Sequence, residues 1–174
     1  MPEHREGTPE RYATLESFLW RDFGEAGEWM DWVKTRQLGT PVEDPRSSFA
    51  LALRLQHALR RLEVANSGAG TSPTAAATLN GLVGKFKTQP RVSPDGRLSL
   101  GPAPARARDP VALLLTMALN AMAEGVWHRF KLCRDPTCKA SFYDASKSGT
   151  KVWCSMSLCG SRDKMRRLRR RRKA

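Results

Sequence analysis

The sequence has no apolar run long enough to cross a bilayer. Its longest, Val111 to Ala123, falls short of the roughly 20 residues a spanning helix needs and carries Thr116 and Asn120 inside it. Met1 to Arg11 is polar and contains proline, without the apolar segment of an export signal, so a soluble cytoplasmic protein with no membrane partner is expected. Histidine is scarce, at three residues. His57 has no Cys, His or paired carboxylate near it in sequence, and His128 has no His-Asn-His set or carboxylate cluster to complete a catalytic metal site. A nuclease is therefore disfavoured and no enzymatic activity is expected. A Gly-rich phosphate loop is also missing: Gly68-Ala69-Gly70 lacks the following Lys-Ser or Lys-Thr and reads as a linker. Acidic residues are sparse in one part only. Residues 129–174 hold 3 of them against 15 basic residues, whereas residues 1–128 hold 14 against 15. Cysteine is absent before position 133, and all four cysteines lie in that basic end.

What is present divides accordingly into a near-neutral body, 1–128, and a basic end, 129–174. With 40% hydrophobic residues the chain can bury a core. A capping-type residue followed by proline occurs four times, at Thr8-Pro9, Asp44-Pro45, Ser72-Pro73 and Asp109-Pro110. Each predicts a helix start, because the side-chain oxygen can accept a free backbone N–H and proline fills a first-turn position that needs none. Tyr12, Leu15 and Leu19 predict the first helix, broken by Gly24 and Gly27; Trp29, Trp32, Val33 and Arg36 continue helically to Gly39. Leu51, Leu55, Ala58 and Leu62 form the cleanest stripe, ended by Asn66-Ser67-Gly68. Leu79, Leu82, Val83 and Phe86 mark a shorter helix. Val92, Leu98 and Leu100 alternate around a Pro94-Asp95-Gly96 turn, the pattern of a small hairpin. The run from Val111 to Leu119 is apolar on nearly every side and belongs at the centre of a bundle. Trp20, Trp29 and Trp32 fit core packing better than a pocket lining.

The basic end carries the specific signal. Cys133-x4-Cys138 and Cys154-x4-Cys159 are matching pairs separated by 15 residues. Two loop-borne thiolate pairs can converge on one tetrahedral ion, and four thiolates leave no position open for water, so one structural zinc is expected, with an iron–sulfur cluster or free thiols as alternatives. Phe142-Tyr143 and Val152-Trp153 read as short strands flanking a polar turn, with Phe142 and Trp153 as a miniature core; Trp153 stacking on a base is the functional alternative. Loss of one cysteine is expected to unfold the finger and leave the helical body intact. Gly160 suits a left-handed knuckle position and Ser161 a helix cap, with Met165 and Leu168 packing back on the finger. The displayed basic residues would then be Arg162, Lys164, Arg166, Arg167, Arg169, Arg170, Arg171, Arg172 and Lys173, joined by Lys147 and Lys151 from the turn. Nine cations within residues 162–173 repel one another unless an anion neutralises them, and a phosphate backbone is the natural partner; a frayed, solvated tail is the bland alternative.

Cys133-x4-Cys138, Phe142, Asp144, Ser146, Trp153-Cys154-Ser155-Met156, Cys159-Gly160-Ser161-Arg162 and Lys164 together resemble the CGNR zinc finger at the C-terminus of bacterial proteins with an ABATE domain. Ser161 stands where the signature has Asn. More loosely, Leu79-Asn80, the Asp95-Gly96 turn and the apolar helix before the finger are similar to the ABATE part. The residues themselves predict a mainly α fold, a helical domain with a small hairpin followed by a treble-clef-like hairpin and basic helix around zinc, and the resemblance implies that the helical domain is regulatory. It also implies a stress-induced transcription regulator that binds DNA through the finger, so duplex DNA at the nucleoid is the expected partner. Apart from the resemblance, an exposed apolar face on the helical domain could take a second copy or another transcription component, although no heptad pattern asks for a dimer. An RNA- or ribosome-associated zinc protein, or a module for an acidic protein partner, would use the same basic surface.

Overall fold

The structure, a computed structural model, describes residues 7–172. It is mainly helical, with two small antiparallel hairpins: α1 (Glu10–Trp20), α2 (Ala26–Thr35), α3 (Pro45–Val64), α4 (Pro73–Phe86), β1 (Gln89–Val92), β2 (Leu98–Gly101), α5 (Pro110–Ala123), β3 (Phe130–Leu132), β4 (Ser141–Tyr143) and α6 (Ser161–Arg171). All four capping-residue–proline pairs stand at helix starts, but they work differently. Asp44 and Asp109 accept backbone N–H groups of their first turns, whereas α1 and α4 begin without a side-chain cap bond. Gly27 lies inside α2, and the break falls instead over residues 21–25. Arg36 is the cap of α2, and Gly39 follows with φ +89°, where an added Cβ would overlap the Arg108 carbonyl. That close approach lets the Thr40 N–H reach Arg108 O at 2.9 Å.

The long helix α3 organises the body, packing against α1, α2, α4, α5 and β3. Leu55 and Leu59 on it are fully buried, as are Leu15, Phe18 and Leu19 of α1 and Leu114 and Leu115 of α5. Each such side chain contributes about 1.5–3 kcal/mol by leaving water. Helix α5 has no exposed residue from Pro110 to Met122, consistent with its continuous apolar sequence. Trp29 and Trp32 stack at 5.6 Å between ring centres beside Phe18 and Phe23, and their indole N–H groups donate to Ser48 and Ser17, so these two tryptophans are core; Trp20 is half-buried and lines a surface pocket with Arg60 and Lys139. The β1–β2 hairpin pairs Val92 with Leu98 around the expected turn and is largely exposed.

The second hairpin differs from the sequence expectation. Ser141–Tyr143 pairs with Phe130–Leu132, not with Val152–Trp153, which forms no strand. The reason lies in the body: Phe130 is fully buried in the main core, stacked on Trp127 at 5.1 Å and edge-on to Tyr143 at 5.2 Å. Polar groups complete the joint. Asn66 donates to the carbonyls of Trp127 and Phe130, Glu16 accepts the Tyr143 N–H at 3.0 Å, and Ser141 bonds Glu63 at 2.6 Å. The finger's first hairpin is thus packed onto α1 and α3.

Candidate metal centre and nucleic-acid interface

The β3–β4 hairpin sets the first cysteine pair. Cys133 follows β3, its N–H bonding Ala140 O, and Cys138 sits where the chain folds back, with its N–H and that of Lys139 on Asp135 O. Lys139 takes a left-handed φ of 47° to make the reversal. The second pair belongs to the entrance of α6: Ser155 caps a wide turn, Met156–Gly160, that places Cys159 directly before the helix. Gly160 has φ −63°, so its need for glycine is not a left-handed conformation. A side chain there would press on Met156 Sδ and Trp153 Cδ1. Ser161 lies within the helical run, and Ser155 takes the capping role expected of it, accepting the Leu158 N–H.

The four Sγ atoms lie within 4.8 Å of one another, with Cys138–Cys154 at 3.6 Å and Cys154–Cys159 at 3.7 Å. Four sulfurs bound to one ion at about 2.3 Å stand about 3.8 Å apart in a regular tetrahedron, so the donor set fits a single zinc. Burial, and then the neighbouring Cys154, Cys138 and Cys133, push the Cys159 thiol far up. A cation bound at the centre would hold all four as thiolates. Phe142, Cys133 and Cys159 are buried together with Trp153 against them, which confirms the miniature core.

Two buried carboxylates brace this centre. Asp144 accepts from the Ser146 N–H and hydroxyl, the Lys151 N–H and the Lys131 ammonium at 2.9 Å. Burial alone would raise its pKa, but the Ser146 hydroxyl and the Lys131 cation hold it down at about 2. Lys131 also donates to Gly149 O and Lys151 O, so the loop from 144 to 151 is shaped around this ion pair. Asp135, under the first cysteine knuckle, accepts from Thr137 and from Arg166 at 3.1 Å, with Arg162 at 3.6 Å. Helix α6 is therefore tied to the knuckle through an arginine. Sequence reasoning missed Lys131 and Asp135; an acidic residue inside a basic segment was the available signal for Asp135.

The candidate nucleic-acid residues divide accordingly. Arg166 is not displayed: it is half-buried and engaged with Asp135 and Asp163. Arg167 is exposed but pairs with Asp163 at 2.7 Å, and Arg162 reaches toward Asp135. Lys164, Arg169, Arg170, Arg171, Arg172, Lys147 and Lys151 are exposed, with no carboxylate within ion-pair distance among the described residues. Lys173 lies outside the described residues. Met165 and Leu168 do not join the finger's buried cluster; they are 49% and 43% exposed, and Met165 lines an open groove with Thr137 and Leu158 of the finger. No described helix is long and apolar enough to cross a membrane.

Residues 129–172 match the family model of the CGNR zinc finger, which leaves the helical body outside the match. No curated protein matches the chain. With four cysteines converging as one metal site inside that matched segment, the C-terminal part of this chain is a zinc-binding finger of the CGNR family.

Proposed function

We propose that this protein is a non-enzymatic, duplex-DNA-binding regulator of transcription that acts in the cytoplasm at the nucleoid, with α6 as its contact element. The observation that carries the reading is the run Arg169 to Arg172 on a helix whose base is anchored to the metal centre by Asp135 and Arg166. An isolated helix of 11 residues with this charge would melt from self-repulsion. Anchoring leaves the arginines projecting where phosphates can neutralise them. Lys147 and Lys151 add charge on the loop that Asp144 organises. The helical body is the regulatory part, through which a second copy or another transcription component joins.

The test is binding of the zinc-loaded chain to duplex DNA, single-stranded DNA and structured RNA across salt, with metal stoichiometry on the same sample. The expected outcome is tight duplex binding at one zinc per chain, with log K falling against log salt by about 0.9 per neutralised phosphate. Binding to RNA alone would overturn the reading in favour of an RNA-associated protein.

A further inference from the structure

The outward face of α6 is not uniformly basic. Asp163 and Arg166 turn toward the finger, and the opposite side, one helical face at i, i+3 and i+7, carries Met165, Leu168 and Arg172. Leu158, 61% exposed on the preceding turn, shares with Met165 an open groove that Thr137, Arg162, Arg166 and Arg169 also line, and Leu168 is exposed outside that lining. Met165 and Leu168 are 49% and 43% exposed, so the helix presents apolar surface among its cations. An apolar strip edged by arginines on both sides suits a surface that is itself apolar between two rows of anions.

We infer that Met165 and Leu168 contact the base pairs of duplex DNA from the major groove while the flanking basic residues bind the two phosphate rows. The inference rests on the DNA-binding reading above and specifies the contact. A helix with side chains is about 10–12 Å across, and the major groove is about 12 Å wide. There the only apolar group on the base edges is the thymine 5-methyl. A second copy of this chain does not suit the strip, because two segments of net charge +12 would be brought face to face.

The probes are the alternating duplexes poly(dA-dT) and poly(dA-dU), which differ by the thymine methyl, tested with the full zinc-loaded chain and its double variant Met165→Ser/Leu168→Ser. Both residues are exposed, so zinc content and melting should not change. The wild-type chain should bind poly(dA-dT) several-fold more tightly than poly(dA-dU). The double variant should lose that preference and about tenfold in affinity, close to 1.4 kcal/mol, with its salt slope unchanged. Wild-type affinity or a retained methyl preference in the double variant, with the salt slope intact, overturns the base contact alone. Absence of salt-dependent duplex binding by the wild-type chain overturns the reading beneath it.

Discussion

Glu63 is a carboxyl group with no exposed surface, on the helix that spans the body and at the point where the finger joins it. Burial, opposed by the Ser141 hydroxyl and Arg60 and reinforced by Glu16, pushes it up from 4.5 to about 8, so it is protonated at neutral pH. It can then donate to Ser141 Oγ, which lies 3.2 Å from Leu19 O and donates onward, linking α3, β4 and α1 through a relay of two hydrogen bonds. The sign of the linkage follows. Between about 4.5 and 8 the folded chain keeps a proton that the unfolded chain releases, so this group's contribution to stability declines as pH rises through that window. Glu63→Gln keeps a donor for Ser141 without a charge to desolvate. Melting followed from pH 5 to 9 should show a flatter profile for the variant and greater stability than wild type above pH 8.

Helix α6 shows how far an element can be read from its residues and where that stops. Its position after the second cysteine pair and its charge are evident in the sequence. The direction of each side chain is not, because 11 residues with eight charges have no unambiguous apolar face. Asp135 draws Arg166 inward, and Met165 and Leu168, the natural candidates for packing, stay 49% and 43% exposed. The arginines of this one helix should therefore separate by function. Arg166→Gln should lower the melting temperature and weaken zinc retention against a chelator while leaving the salt slope of DNA binding nearly unchanged. Replacing Arg169 to Arg172 by Gln should leave melting and zinc retention as they are and reduce the slope by about 0.9 for each phosphate no longer neutralised. Identical effects from both sets would contradict the division.

At the scale of the molecule, metal centre and helical core are connected. Phe130 belongs to the body's core, Tyr143 stacks on Tyr12 at 5.6 Å, and Cys133 directly follows the strand that Phe130 begins. A cysteine variant is thus expected to reach further than the finger. Chelation of zinc, or Cys154→Ser, should lower the melting temperature of the helices too, seen as one shifted transition in circular dichroism and tryptophan fluorescence. An unchanged helical transition would show that the hairpin stays docked without its ion. The helix starts, the β1–β2 turn, the central α5 and the zinc ligands were legible beforehand because they depend on spacing within a few residues: a cap before proline, an apolar period, a paired thiolate. The strand partner of Ser141–Tyr143, the inward turn of Arg166, the buried Lys131–Asp144 pair and the protonated Glu63 were decided only in the tertiary structure. Each depends on which distant groups share a space from which water has been removed, and desolvation, unlike helical periodicity, has no signature along the chain.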